Sequence, residues 1–198
     1  MKIGLTGSIA CGKSTVSAYL RELGYIVADA DAISHALTAP GGRALPLLRE
    51  AFGDAVFDGD VLNRRALGSM VFSDPKKRAQ LNAILHPMII SEIHAALLSH
   101  DAPDTLVFGD IPLLFECGME HMFDRIWVVS VQEDIQLARI MERDHLSQDE
   151  ALARIRAQMP LQEKRRLADA VIDSSGTIDE TRRQIDHLIA SIRMSRIF

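Results

Sequence analysis

Apolar positions along the 198-residue chain alternate between short continuous runs and longer stretches of helical period. Residues 3–6 form a short apolar run interrupted at Gly7 and read as a buried strand, since an uninterrupted apolar run bounded by a turn suits a strand covered on both faces. A helical pattern follows from about residue 13 to 23 and stops at Gly24. Residues 25–28 (YIVA) make a second apolar run, ending on Asp29-Ala30-Asp31. Strand, turn, helix and strand in close succession predict a βαβ unit and a parallel sheet.

The middle of the chain, residues 32–100, is mainly helical in pattern. Pro40-Gly41-Gly42 breaks it, Asp58-Gly59-Asp60 marks a turn, and Ser73-Asp74-Pro75 marks a helix start. Residues 105–108 (TLVF) predict a third strand, closed by Gly109-Asp110, and residues 125–131 (RIWVVSV) a fourth. Residues 133–168 are helical and rich in arginine, with a restart at the capping box Ser147-Gln-Asp-Glu150. Residues 170–172 predict a short fifth strand, and a second capping box, Thr177-Ile-Asp-Glu180, opens a terminal amphipathic helix. Strands alternating with helices place the ligand site at the carboxyl ends of the strands.

Composition narrows the class. The chain is 47% hydrophobic and 25% charged, which suits one globular domain with an aliphatic core, as aromatics make up only 5%. A net charge of −5 argues against a general nucleic-acid binder, which carries a basic field. Cys11 and Cys117 lack metal-ligand spacing and suggest a reducing compartment. The apolar run at the N-terminus is cut by Gly7 and Ser8, too early for a signal segment, and no later segment approaches 18 uninterrupted apolar residues. The expected protein is soluble and cytoplasmic, with no membrane partner. No pattern speaks to oligomeric state.

The chemistry concentrates at the strand ends. GSIACGKST, residues 7–15, matches Gly-x-x-x-x-Gly-Lys-Ser between a predicted strand and a predicted helix. Gly7 and Gly12 allow backbone angles that turn successive N–H groups inward to hold an anion, at the positive end of the next helix. Lys13 reaches the β and γ phosphates and the Ser14 hydroxyl can ligate Mg²⁺. Ala10 and Cys11 stand where such loops often carry Gly and Ser; their N–H groups can still donate. Lys13 and a helix N-terminus near Cys11 both favour a lowered thiol pKa, and the alternative is a small residue filling a Ser-sized space.

Asp31 fits two roles: accepting a proton from an attacking hydroxyl or holding a magnesium-bound water, and capping a helix that starts at Ala32. Asp110 ends an apolar strand beside the loop, a position suited to holding Mg²⁺. Arg139 and Arg143 share a helix face. With Arg154, Arg156, Lys164, Arg165 and Arg166 they either close over a triphosphate or form a solvated, ion-paired surface among the interleaved acidic residues. Composition alone singles out neither Arg64-Arg65 nor His86-Pro87.

Taken in order, GLTGSIACGKSTV, VADADAISHAL, LNRRALGSMVF, LNAILHPMI, DIPLLFE and the AD and VID of residues 168–173 resemble the dephospho-CoA kinase family over residues 2–176. The loop alone is generic, whereas LHP and PLLFE in this order are specific. The resemblance implies a three-layer α/β P-loop kinase fold. Its parallel five-stranded sheet would be flanked by helices, in a single domain of residues 1–198. A helical acceptor-binding insertion would span about residues 32–100 and a lid about 139–168. It implies ATP-dependent phosphorylation of the ribose 3′-hydroxyl of dephospho-CoA, with Mg²⁺. The implied roles are ATP binding by Ala10, Cys11, Gly12, Lys13, Ser14 and Thr15, and base catalysis by Asp31. Arg64, His86, Leu113 and Glu116 would bind the acceptor, and Arg139 and Arg143 would belong to the lid. Family loops typically read Gly-Gly-Ile-Gly-Ser-Gly-Lys, and members often carry Asn where this chain has Ser174-Ser175. If that position meets adenine, the contact here is weaker or made by backbone. The Gly-Gly-Gly acceptor motif of shikimate kinases, the Asn-Lys-x-Asp of GTPases and the Ser-Gly-Gly signature of ABC-type ATPases are all absent.

Overall fold

The N-terminal pattern folds as a strand, β1 (Lys2–Gly7), a helix, α1 (Lys13–Glu22), and a second strand, β2 (Ile26–Asp29). The structure is a computed structural model and describes residues 1–100, 102 and 105–195. The chain then runs through α2 (Ala30–Leu37), α3 (Leu45–Phe52), a short antiparallel hairpin of β3 (Phe57–Asp58) and β4 (Val61–Leu62), α4 (Arg64–Ser73) and α5 (Pro75–Ser99). The sequence marked only a turn at Asp58-Gly59-Asp60. Strands of two residues are too short to show alternation, so their pairing was invisible in the pattern.

After β5 (Val107–Asp110) and β6 (Arg125–Ser130), the arginine-rich region divides into α6 (Glu133–Asp144), α7 (Gln148–Arg156) and α8 (Leu161–Leu167). His145 stops α6 in the left-handed conformation at φ 54°, Ser147 and Glu150 close the expected capping box of α7, and Pro160 opens α8. The chain continues through β7 (Ala170–Asp173) and α9 (Ile178–Ser195). The expected third strand begins two residues later than the apolar pattern suggested and includes Gly109 and Asp110, which pair with Gly4 and Leu5 of β1.

The large sheet has the order β2-β5-β1-β6-β7, and β1 runs parallel to both β5 and β6. Such strands are covered on both faces and are continuously apolar. β1 is buried from Ile3 to Gly7 and β5 along its whole length. Two compact units make up the chain, Met1–Ala28 with Leu97–Phe198, and Asp29–Ala96. The first has its core between the sheet and α1 and α9, where Leu5, Val16, Leu20, Phe108, Trp127 and Ile185 are buried. The second has its own core of Leu37, Leu48, Phe52, Val56, Leu62 and Leu67, against which Leu81, Ile84, Leu85 and Met88 of α5 pack.

α5 is 25 residues long with a mean hydropathy of 1.4 over an 18-residue window, enough by length and composition alone to cross a bilayer. His86, Glu92 and His94 interrupt it, so no uninterrupted apolar run appears in the sequence.

Both capping boxes are fully formed. Ser147 N–H and Oγ donate to Glu150 Oε2 at 2.9 and 2.6 Å, and Thr177 N–H and Oγ1 donate to Glu180 Oε2 at 2.8 and 3.0 Å. These bonds favour the charged forms and hold both carboxyls below the usual glutamate range. A depressed folded value means stability present above the unfolded value, near 4.3, and lost as pH falls through the folded one. A Glu150→Gln/Glu180→Gln variant is therefore expected to lose less melting temperature between about pH 5 and about pH 3 than the parent does. Scanning calorimetry over that range checks it, and an equal acid loss in both proteins would contradict it.

Candidate active site

The turn from β1 into α1 permits no side chain at its start. A Cβ on Gly7 would lie 2.4 Å from Cys11 Sγ and 2.7 Å from the Val129 carbonyl oxygen. Gly12 takes φ 82°, as the loop pattern requires, but Ala10 also takes a positive φ, 59°. The N–H groups of Lys13 and Ser14 fall in the first turn of α1, where no intrahelical carbonyl is available to them. Other loop donors are already used. Ile9 N–H donates to Gln158 Oε1 at 2.9 Å, and Cys11 N–H has an intraloop partner in the Ser8 carbonyl at 3.3 Å.

Cys11 itself is 1% exposed and belongs to the core of the first unit. Burial pushes its thiol up, outweighing the lowering by its backbone bond and charge contact with Lys13. The expected lowering by cation and helix end is thus overturned by desolvation. The Cys11 side chain fills space beneath the loop.

Asp110 ends β5 at 3% exposure. Lys13 Nζ is paired with Asp110 Oδ1, and Ser17 Oγ donates to Asp110 Oδ2. The carboxylate therefore holds the loop lysine and the first turns of α1 against the sheet. Against the loop and the start of α1 opens a cavity of about 580 Å³, a size that suits a nucleotide-like ligand. Gly12, Ser14, Thr15, Arg139, Arg143 and Ser174 are among its lining residues.

The two arginines expected to share a face both reach this cavity, each with a partner. Arg139 donates to Ser174 Oγ at 3.2 Å and to the Ser174 carbonyl at 2.8 Å. Arg143 grips Asp144 through Nε at 2.8 Å and Nη2 at 3.1 Å, and Arg154 reaches the same carboxylate at 2.8 Å. These contacts keep the Asp144 carboxyl below its usual range and raise the Arg143 guanidinium further. Ser174 Oγ in turn donates to the Cys11 carbonyl at 2.6 Å. The Ser174 side chain is thus turned to the loop and to Arg139.

Of the residues expected to bind the acceptor, Leu113 is 38% exposed. Glu116 Oε1 accepts from Met159 N–H at 3.0 Å and pairs with Lys164 Nζ at 2.9 Å. In the second unit, Asp29 caps α2, its carboxylate accepting from the N–H groups of Asp31 and Ala32 at 3.0 and 3.1 Å. That corrects the capping alternative for Asp31: the helix starts at Ala30, so the cap is Asp29 and Asp31 lies exposed in the first turn. Arg64 donates to Thr38 Oγ1 at 2.6 Å and to the His35 carbonyl at 3.2 Å. His86 lies half-buried on α5, one residue before Pro87.

The family model for dephospho-CoA kinase matches residues 1–180. The chain belongs to the dephospho-CoA kinase family. The dephospho-CoA kinase of Carboxydothermus hydrogenoformans is 50% identical over 186 residues, covering 92% of this chain and 90% of that protein. A solved protein from Thermus thermophilus is 40% identical with a TM-score of 0.81, over 96% of this chain and 97% of that one. The solved dephospho-CoA kinase from Campylobacter jejuni is 29% identical with a TM-score of 0.77, over 99% of this chain and 100% of that one. The fold is that of a P-loop kinase, and such a kinase uses ATP.

For this member of the dephospho-CoA kinase family, sequence reasoning missed the residues that hold the loop in place. Lys164 stands among the cations expected either to close over a triphosphate or to form a solvated surface, yet it is 0% exposed. Gln136 and Gln158, which bond to Ser8 and Ile9, carried no signal, because a glutamine on a helix or loop looks the same whether solvated or buried.

The strain at Ala10 is testable. Left-handed backbone costs a non-glycine residue roughly 1–2 kcal/mol, and glycine gives back about 0.4–1 kcal/mol through the unfolded chain. Ala10→Gly is expected to stabilise the protein by about 1 kcal/mol, seen as a higher urea midpoint at unchanged slope. A lower midpoint would show that the loop carries no such strain.

Proposed function

We infer that this chain transfers the γ-phosphoryl group of ATP to the ribose 3′-hydroxyl of dephospho-CoA, yielding coenzyme A and ADP, the last step of coenzyme A synthesis. The observation that carries this reading is the family match over residues 1–180, which includes the phosphate loop as well as the PLLFE segment. On this reading, residues 10–15 and the cavity beside them receive the nucleotide. Lys13 and the arginines at 139 and 143 spread the charge of the transferring group. Asp31 orients the acceptor hydroxyl and takes its proton, while Arg64, His86, Leu113 and Glu116 bind the acceptor.

On this reading the Ser14 hydroxyl and the Asp110 carboxylate would hold Mg²⁺, since both are hard oxygen donors of the kind that this ion takes alongside substrate phosphates. When bound, Mg²⁺ neutralises charge on the β and γ phosphates. Asp110 also organises the site without it, by holding Lys13 and Ser17.

We place the reaction in the cytoplasm, with no membrane or nucleic acid involved. Leu81, Ile84, Leu85 and Met88 of α5, the helix long enough to span a bilayer, pack partly buried on the second core.

The test is to mix the protein with Mg-ATP, with and without dephospho-CoA, and to follow ADP and product mass. Acceptor-dependent ADP release with a product heavier by one phosphoryl group is expected. ADP release independent of acceptor, or tight nucleotide binding without turnover, would instead mark a nucleotide-driven switch.

Asp31→Asn keeps the shape of the side chain and removes its basicity. Its kcat is expected to fall by about 10²- to 10⁴-fold, with the KM for ATP little changed. Unaltered turnover would remove Asp31 from the role of base.

A further inference from the structure

The stretch from Gln158 to Lys164 touches the phosphate loop at one end and the acceptor-side segment at the other. Gln158 Oε1 accepts from Ile9 N–H at 2.9 Å and from Ser8 Oγ at 3.1 Å. The next residue, Met159, donates its N–H to Glu116 Oε1 at 3.0 Å. One turn into α8, Lys164 Nζ meets the Gly7 carbonyl at 3.2 Å, the Pro112 carbonyl at 2.9 Å and Glu116 Oε1 at 2.9 Å.

An ammonium has three protons to donate, and here three acceptors meet it. With the side chain 0% exposed, no water can replace a lost acceptor. One acceptor belongs to the start of the phosphate loop, and two belong to the segment after β5. Glu116 carries a second bond to the same stretch through Met159, so the carboxylate is held from two directions. A shift of Gly7 away from Pro112 and Glu116 would strip a buried charge of a partner, so the two segments shift together or not at all. Gln136 reinforces the loop end, since its Nε2 donates to Ser8 Oγ at 3.0 Å and to the Ile9 carbonyl at 2.7 Å.

We propose that Gln158 and Lys164 are positioning residues that couple the donor loop to the acceptor-side segment, so that nucleotide and dephospho-CoA each favour the binding of the other. The proposal rests on the reaction inferred above. Neither residue touches the reacting atoms; both act through Gly7, Ser8, Ile9 and Glu116. Because coupling between sites is reciprocal, it can be read from either ligand.

The measurement is the Kd of ADP by calorimetry, alone and at saturating dephospho-CoA, for the full chain, Gln158→Ala and Lys164→Met. In the parent protein dephospho-CoA is expected to tighten ADP binding at least about fivefold. In both variants that ratio should fall toward one, while ADP alone binds nearly as in the parent and kcat drops. A folded variant that keeps the parent ratio, or a parent ratio of one, overturns the proposal. Thermal melting shows which variants are folded; if Lys164→Met is not, Gln158→Ala decides alone, because half-exposed Gln158 has no buried charge to strand. Parent turnover of Mg-ATP and dephospho-CoA is the separate control. Its absence overturns the reaction itself, whereas turnover with an unchanged ratio in the variants overturns only the coupling.

Discussion

A carboxylate at the end of a buried strand, Asp110, is the constraint on which the phosphate-loop region depends. At 3% exposure it has to be compensated, and both of its oxygens are. One holds the ammonium of Lys13 and the other the hydroxyl of Ser17, so the sheet grips α1 at two points one turn apart. The same two bonds set where the loop ends and where its lysine points. Asp110 lies in register with Leu5 of β1, inside the sheet, so those two bonds are what let β5 carry a charge there.

Unusual residues of the loop fit one another. Cys11 turns its sulfur into the core directly beneath Gly7, where any Cβ would collide with it. Its carbonyl is met by Ser174 Oγ, and Ser174 is in turn held by Arg139. Ser8 adds a hydroxyl that links Gln136 to Gln158. Polar bonds thus surround a loop that is tight on its inner side and strained at Ala10, where φ is 59°. A loop with this many lateral bonds can hold a left-handed alanine, because each bond raises the cost of relaxing it.

Much of this was legible in the sequence, and the reasons are local. The apolar runs of β1 and β6 and the two capping boxes are written in adjacent residues, so periodicity and spacing reveal them. Gly7, Gly12 and Lys13 declare a phosphate loop through spacing alone. What was not legible depends on residues far apart in the chain. Lys13 and Asp110 are 97 positions apart, and Lys164 and Gly7 are 157 apart. The thiol of Cys11 was misjudged for a related reason. Its cation and helix end are neighbours in sequence, whereas the burial that outweighs them comes from a core assembled out of distant strands.

The two loop-side lysines show how burial divides one chemistry into two roles. Lys13 keeps 16% of its side chain exposed and is paired with a single carboxylate. An ammonium has three protons, so Lys13 can meet a phosphate oxygen while keeping Asp110 compensated. Lys164 is wholly enclosed, its three protons taken by two carbonyls and a carboxylate. No incoming group could displace one of them without cost, since the interior offers nothing in exchange. A partly exposed lysine suits contact with a substrate that comes and goes. A saturated one suits holding the phosphate loop and the PLLFE segment in a constant relation while it does so.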